Sequence, residues 1–257
     1  MPKKLMAHMV YGYPDQKISK TLFRRFDSIG ASYIEVQIPF SDPIADGTVL
    51  ANANSQASAH VSTAHTLQFL HEQIPKLQTS KVVVMCYFQT IFAFGIDRFC
   101  SQLAGARVYG LIVPDLPYDQ TEFVILKHEA AAHLIVLIPV LSPNVNPARL
   151  RHYAEPASKL IYLTARSGIT GTHTSSKKIK DISDSARQIK QLAPDCELAL
   201  GFGIQTPTDI IGLPDIIDIA VVGSALTVTL DEFGADAAID LAQNLLRACD
   251  SAASEPK

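Results

Sequence analysis

Short runs of hydrophobic residues recur along the whole chain, and each has the length of a β-strand. Several are almost continuously apolar, such as Val82-Val-Val-Met85 and Leu134-Ile-Val-Leu-Ile138. Such runs are typical of strands buried on both faces of a parallel sheet. The pattern predicts eight strands, over Leu5–Val10, Tyr33–Ile38, Lys81–Tyr87, Val108–Val113, His133–Pro139, Lys159–Thr164, Cys196–Gly201 and Ile217–Val222.

Segments with helical periodicity lie between these strands. Gly30 is predicted to end the first helix, and Ser175 and Thr206 are predicted N-caps, the latter followed by Pro207. The helices are predicted over Lys17–Ile29, Thr63–Leu77, Ile96–Leu103, Tyr118–Ala132, Asn146–Ala154, Ser175–Leu192, Thr206–Leu213 and Asp231–Ala248.

Regular alternation of strand and helix indicates an α/β protein, and eight such units in about 250 residues favour a single (β/α)8 TIM barrel. An open doubly wound sheet is the second interpretation, but no Gly-x-Gly-x-x-Gly follows the first strand. No linker interrupts the pattern. We therefore expect one catalytic barrel domain over residues 1–249 and a disordered tail over residues 250–257.

Composition excludes several classes of function. The chain is 47% hydrophobic and 18% charged with a net charge of −3, so we expect no nucleic-acid partner. The longest apolar stretch, Val82 to Gly95, is interrupted by Gln89 and is too short to cross a bilayer. The apolar run after Met-Pro-Lys-Lys is too short for a signal peptide. We expect a cytoplasmic protein that does not bind membranes.

The cysteines and histidines do not predict a metal site. The four cysteines lack the spacing of a disulfide framework or a zinc site, and three lie in or beside apolar segments, as expected of core thiols in a reducing compartment. They are at positions 86, 100, 196 and 249. His8, on the first strand, is more readily interpreted as a satisfied core histidine than as a catalytic one.

The stretch around the second strand contains the most informative acids. Strict alternation places Tyr33, Glu35 and Gln37 on one face of the strand. Asp42 and Asp46 follow just past its C-terminal end, which is where the active site of a TIM barrel lies. These acids indicate an acid–base site. A structural ion pair at Glu35 and an ordinary surface turn are the alternative.

Glycines follow the seventh and eighth predicted strands, in Gly201-Phe-Gly-Ile204 and Gly223-Ser-Ala225. Backbone N–H groups at such positions can bind an anion, and barrel enzymes often bind substrate phosphate there. Each motif alone could be a tight turn or a helix cap. Together they predict a phosphate site facing Glu35, whose pKa an apolar lumen should raise. Asp46, on a wetter loop, should stay ionised.

These motifs together resemble the alpha chain of tryptophan synthase over most of the chain. The word around Pro39-Phe-Ser-Asp-Pro43, with Glu35 four residues ahead of it, is highly specific. The matching words are Glu35 with Ile38-Pro-Phe-Ser-Asp-Pro-Ile-Ala-Asp-Gly47, Val113-Pro-Asp-Leu-Pro117, Tyr162 with Arg166-Ser-Gly-Ile-Thr-Gly171, Gly201-Phe-Gly-Ile204 and Gly223-Ser-Ala225.

The resemblance implies a (β/α)8 barrel that cleaves indole-3-glycerol phosphate into indole and glyceraldehyde 3-phosphate, with no cofactor and no metal. It implies that Glu35 protonates C3 of the indole ring and that Asp46 accepts a hydrogen bond from the indole N–H. Binding of the substrate is implied for Tyr162, Thr170, Gly171, Phe202, Gly203, Gly223 and Ser224. The implied partner is a pyridoxal-phosphate beta chain, in an alpha2-beta2 complex that receives the indole.

The chain also departs from the pattern of this family. His8, Val10 and Tyr13 stand where the family usually has Phe, Thr and Asp, and Gln37 replaces a small residue beside Glu35. Phe88-Gln89-Thr90 replaces a Tyr-Asn-Pro word that lies near the beta chain. The alternatives are therefore a stand-alone lyase, a weakly active paralogue that acts as an activating subunit, or a phosphate-binding barrel with another sugar-phosphate reaction.

Overall fold

A computed structural model describes residues 2–117, 120–143, 146, 150–151, 159–164, 176–201 and 203–251. The strands pair in parallel in the order β5-β4-β3-β2-β1-β9-β8-β7-β6. They are β1 Lys4–Val10, β2 Tyr33–Gln37, β3 Lys81–Met85, β4 Gly110–Ile112, β5 Val136–Ile138, β6 Val140–Leu141, β7 Leu160–Thr164, β8 Glu197–Gly201 and β9 Ile219–Val222.

Pro139 explains why eight predicted strands appear as nine segments. Proline has no N–H group to give to a strand ladder, and here it separates β5 from β6, which lie at the two ends of the hydrogen-bonded order. The Pro139 carbonyl accepts a hydrogen bond from the Tyr162 N–H at 2.9 Å. The two halves of one strand therefore pair with β4 on one side and β7 on the other. This confirms the predicted TIM barrel and excludes the open sheet.

Helices cover the outside of the barrel and largely match the prediction. Thr206 caps its helix by accepting from the Asp209 N–H, with Pro207 at the first turn, and Gly30 follows the first helix at φ 93°. The described helices are Gln16–Ser28, Thr48–Ser58, Thr63–Gln73 with the 3-10 turn Ile74–Lys76, Phe88–Phe94, Ile96–Gly105, Thr121–Ala132, Ser176–Leu192, Pro207–Ile211, Ser224–Phe233 and Ala235–Ser251.

Some predicted helix boundaries were wrong. Three helices were not predicted, namely Thr48–Ser58, Phe88–Phe94 and Ser224–Phe233, and the predicted helix Asp231–Ala248 overlaps only the last three residues of the third. Gly234, at φ 86°, separates that helix from Ala235–Ser251, which runs two residues into the predicted tail. The predicted helix Asn146–Ala154, the Ser175 cap and residues 252–257 lie wholly or mostly outside the described residues, and the domain boundaries stay a prediction.

Alternation along β2 separates the lumen from the outer layer, as predicted. Ile34, Val36 and Ile38 belong to the large core between sheet and helices. Tyr33 points into the lumen, where it packs with buried residues from most strands. These are Met6, Val83, Met85, Ile112, Ile138, Leu160, Ala199, Ile219 and Val221. All four cysteines are free and buried.

The N-terminal end of the lumen is closed by a polar cluster. Lys4 forms a salt bridge with Glu197, and the Tyr33 hydroxyl donates to the other Glu197 oxygen at 2.8 Å. The Lys81 ammonium lies 4.6 Å from the centroid of the Tyr109 ring, a favourable cation–π distance. These groups fill the N-terminal end of the lumen, so the open end is the one formed by the C-terminal ends of the strands. In the described ranges, no helix is long and apolar enough to span a bilayer.

Candidate active site

Glu35 lies in the lumen on β2 and is almost completely buried, at 2% exposure. Register pairs it with His8 on β1 and with Val83 on β3. Its Oε2 atom has no hydrogen-bond partner among the described residues. Burial raises the pKa of this carboxyl, and the Asp46 charge adds to the rise while His8 opposes it. A carboxyl in this state holds its proton at higher pH than usual and can act as an acid.

Asp46 is held on the loop that follows β2. Its Oδ2 atom accepts hydrogen bonds from the Gln37 side-chain amide and from the Tyr87 hydroxyl, both at 2.8 Å. The Tyr87 oxygen in turn accepts from the Ala45 N–H at 3.0 Å. Tyr87 is fully buried and stacks on Phe40 with ring centroids 4.9 Å apart. The carboxylate is therefore fixed by one of its oxygens.

The helix Ser224–Phe233 begins at the C-terminal end of β9. Gly223 precedes it, and no side chain caps its first turn. The first N–H groups of a helix have no partner within the helix and favour an anion. A Cβ atom at Gly223 would lie 3.1 Å from His8 Nδ1, so the glycine also lets the strand end approach the histidine ring. Gly203, at φ 68°, has open space around its Cα.

Tyr162 on β7 reaches toward the end of the neighbouring strand. Tyr162 is half-buried. A Cβ atom built on Gly201 would lie only 2.4 Å from the Tyr162 hydroxyl oxygen. Glycine at position 201 is therefore what allows the tyrosine to cross the end of β8. The ring belongs to the side chains that pack against the lumen cluster.

The structure brings six predicted residues to the lumen or to the C-terminal end of the strands. These are Glu35, Asp46, Tyr162, Gly203, Gly223 and Ser224. Thr170, Gly171 and Phe202 lie outside the described residues. Asp42 is exposed at the rim, and the individual roles of all these residues stay predictions.

Three side chains that shape this site were given no role in it from the sequence. His8 is 4% exposed, yet only one of its ring nitrogens is bonded, 3.0 Å from Gln37 Oε1, and Nδ1 has no partner among the described residues. The interpretation of His8 as a satisfied core histidine was therefore wrong. Gln37 and Tyr87 are the residues that hold Asp46. Strand alternation along β1 and β2 could have identified His8 and Gln37. Tyr87 could be identified only from the geometry of the loop after β2.

A cavity of about 630 Å³ lies beside this site, on the outer side of Tyr87. Its wall is formed by the loop after β2 and the helix after β3, and includes Asp42, Ile44 and Gln89. Ile44 is 73% exposed, and Phe92 on the same helix as Gln89 is 65% exposed.

One group of possible metal ligands lies on outer helices and their ends. Ligand atoms of Asp97, Glu129 and His133 lie within 4.8 Å of one another. His133 Nε2 is 2.9 Å from Asp97 Oδ1, and the Asp97 side chain is 76% exposed. The contact is a hydrogen bond between side chains on outer helices and their ends, away from the lumen.

The family described as "Tryptophan synthase alpha chain" matches residues 2–254. The chain is 35% identical over 234 residues to the tryptophan synthase alpha chain of Syntrophotalea carbinolica, covering 91% of this chain and 90% of that one. It is 32% identical over 254 residues to that of Chloroflexus aurantiacus, covering 98% and 93%. A solved structure of Mycobacterium tuberculosis tryptophan synthase superposes with a TM-score of 0.86 at 26% identity, covering 97% and 93%.

Proposed function

The chain belongs to the tryptophan synthase alpha chain family, and from this premise we propose that it cleaves indole-3-glycerol phosphate into indole and glyceraldehyde 3-phosphate. The observation that carries the proposal is the pair of carboxyl groups at the C-terminal end of β2. Glu35 is buried in the lumen with its pKa raised, whereas Asp46 is held on the rim by two hydrogen-bond donors. Two carboxyl groups in unlike surroundings divide acid and base roles.

Glu35 is the acid in this proposal. Indole leaves a carbon chain only after C3 of the ring is protonated, which requires a proton donor above an apolar ring site. Glu35 meets that requirement because its Oε2 has no partner and its neighbours in the lumen are mostly apolar. General acid–base catalysis of this kind contributes roughly 10²–10⁴-fold to a rate.

Asp46 acts on the other side of the ring. Protonation at C3 gives the ring nitrogen a positive charge, and an ionised carboxylate next to the N–H stabilises that charge. Gln37 and Tyr87 both donate to Oδ2. Oδ1 is the oxygen we assign to the indole N–H.

The phosphate occupies the N-terminal end of the helix that begins at Ser224. Gly223 and Ser224 offer backbone N–H groups and the Ser224 hydroxyl, and the helix has no side-chain cap to compete. Gly203, Gly171, Thr170 and Phe202 complete the binding site in the proposal. Tyr162 lines the space between the phosphate end and the ring end.

Product analysis tests the reaction itself. Purified chain is incubated with indole-3-glycerol phosphate, and both indole and glyceraldehyde 3-phosphate are quantified. We expect the two products in equal amounts. An isomerised sugar phosphate with no indole would show that the barrel performs a different reaction, and the proposal would fail.

We further propose that a tryptophan synthase beta chain docks on the cavity beside Tyr87, as part of an alpha2-beta2 complex. Support comes from the exposed apolar residues Ile44 and Phe92 at and beside the cavity. The loop that carries Ile44 also carries Asp46. A partner seated there would therefore order the loop that holds a predicted site residue.

Charge substitutions at the cavity test this contact. Ile44→Asp and Phe92→Asp should each reduce, by at least tenfold, the activation of indole release by an added beta chain. Leu134→Asp is the matched control, since Leu134 is 89% exposed and lies two residues before β5, at the N-terminal end of the strands. Equal loss in all three variants, or in none, would contradict the proposed surface.

A further inference from the structure

The hydrogen bonds around Gln37 fix which nitrogen of His8 carries a proton. Asp46, when ionised, only accepts, so the Gln37 atom facing its Oδ2 at 2.8 Å is the amide nitrogen. The Gln37 oxygen then faces His8 Nε2 at 3.0 Å and must accept from it. His8 is therefore protonated at Nε2. In the neutral ring, Nδ1 carries a lone pair.

That lone pair lies in the part of the lumen where we propose that the substrate binds. His8 Nδ1 is buried and has no partner among the described residues, and Glu35 Oε2 is in the same condition. The two residues are direct neighbours in the β1–β2 register. Nδ1 also faces Gly223, since a Cβ atom built there would lie 3.1 Å from it. The nitrogen thus lies between the predicted proton donor and the predicted phosphate end.

A buried polar atom without a partner destabilises a protein by about 1–3 kcal/mol. The described residues carry two such atoms, on register neighbours of β1 and β2, in a lumen otherwise lined mainly by apolar residues. A substrate group that donates a hydrogen bond would satisfy His8 Nδ1. In a substrate with the ring over Glu35 and the phosphate on Gly223, the group between them is the hydroxyl on the carbon bonded to the ring.

We propose that His8 is a second catalytic residue of this site, whose Nδ1 takes the proton of that hydroxyl as the carbon–carbon bond breaks. The inference rests on the proposed function and deepens it. It gives the site separate groups for the two proton transfers, one for the ring carbon and one for the hydroxyl.

The steps balance without any further reactant. Glu35 gives its proton to C3, and the ring nitrogen becomes positively charged. His8 Nδ1 then takes the hydroxyl proton, the oxygen forms the aldehyde carbonyl, and the electron pair of the broken bond neutralises the ring. The proton on His8 Nδ1 returns to the neighbouring Glu35 carboxylate, which restores both residues.

The groups that face His8 set the expected pH dependence. Glu35 and Gln37 face it from β2, Asp46 acts through Gln37, and Gly223 faces it at the end of β9. A base must be neutral before the reaction and Glu35 must be protonated. We therefore expect a bell-shaped pH profile of turnover, and burial, which raises the pKa of Glu35, moves its alkaline limb to higher pH.

A pair of substitutions separates this role from a structural one. His8→Gln places an amide donor near the position of Nε2 and can still bond Gln37, but it has no base at Nδ1. Gln37→Met breaks the link to Asp46 and leaves the imidazole base in place. We expect His8→Gln to lower kcat about 100-fold, to change KM little, and to remove the acid limb of the profile. Gln37→Met should keep that limb.

The tautomer gives a readout that does not depend on turnover. Nitrogen-15 spectra of the wild-type protein should show His8 protonated at Nε2 above the acid limb. The Nδ1 signal of the slow Glu35→Gln variant should shift when indole-3-glycerol phosphate, which carries the donating hydroxyl, is added. An Nδ1-protonated ring would overturn the inference. So would His8→Gln activity within about threefold of an active wild type. No indole from the wild type, with the expected tautomer, would instead overturn the proposed function together with the base role.

Discussion

Glu35 should lower the stability of the folded protein, although it is required for activity. The residue is buried at 2% exposure with Oε2 unpartnered. Glu35→Met keeps the unbranched shape of the side chain and removes both oxygens. Glu35→Gln keeps a polar group of the same size but removes the ionisable one. The two variants therefore separate the cost of an unpaired polar atom from the cost of a buried charge.

The expected gain in the free energy of unfolding is the sum of these two contributions. Removing one buried unpartnered oxygen should stabilise the fold by about 1–3 kcal/mol, and in a protein of this size each kcal/mol raises Tm by roughly 2–4 °C. The charge adds a pH-dependent part. Burial raises the folded-state pKa of Glu35 above its unfolded value, which is about 4.3 for a glutamate.

Because the pKa of Glu35 is raised in the folded protein, the sign of the change in stability with pH is fixed. Between the unfolded pKa and the raised folded pKa, the native state binds more protons than the unfolded state, so stability falls as pH rises. The slope for one group is at most about 1.4 kcal/mol per pH unit. The advantage of Glu35→Met over the wild type should therefore grow above about pH 4 and level off above the folded pKa.

Urea unfolding followed by far-ultraviolet circular dichroism, from pH 4 to pH 9, measures this difference. We expect Glu35→Met to be the most stable protein at every pH, with Glu35→Gln losing the pH dependence but gaining less. If Glu35→Met is no more stable than the wild type at pH 8, the buried and unpartnered carboxyl is not a burden on the fold. The reasoning that makes it a proton donor would then fail.

Three further substitutions test other parts of the structure. Burial opposes ionisation of Asp27, but hydrogen bonds from the backbone N–H groups of residues 78, 80 and 79 outweigh it and lower its pKa. Asp27→Asn should therefore lower the free energy of unfolding by about 1–3 kcal/mol at pH 7. This loss should disappear as pH falls through the lowered pKa, and Asp240→Asn, at an exposed aspartate, serves as control. Gly201→Ala should cost about 1–3 kcal/mol in urea unfolding by overpacking. Tyr162→Phe should relieve part of that cost in the double variant, since the Tyr162 oxygen is the nearest atom at 2.4 Å, and full additivity would contradict the clash. Ser224→Ala should raise KM for indole-3-glycerol phosphate several-fold with little change in kcat. Unchanged binding would exclude the hydroxyl from the phosphate site.

The fold was predictable because the strands of a closed parallel barrel are apolar on both faces. Runs such as Val82-Val-Val-Met85 therefore stood out from the amphipathic helices between them. Helices whose apolar face is short were missed. Thr48–Ser58 buries only Ala53, Asn54 and Ala57, and Phe88–Phe94 buries only Ile91. Neither has the stripe of large apolar residues that marks a helix in a sequence.

The candidate site was only partly predictable, for a different physical reason. Glu35 and Gly223 could be placed by strand alternation and by the rule that barrel sites lie at strand ends. The relation of His8, Gln37 and Asp46 depends on the register between β1 and β2 and on the path of a proline-containing loop. Neither is encoded by local periodicity. An alternation that puts His8 and Glu35 on lumen-facing positions does not say that the two lie side by side.

The central claim is that Glu35 supplies the proton that releases indole. The most direct measurement is the rate of indole release from indole-3-glycerol phosphate by Glu35→Gln and by the wild type, with circular dichroism showing that both are folded. The account predicts a loss of about 10²–10⁴-fold in kcat. Release by Glu35→Gln within a few-fold of the wild-type rate would contradict it.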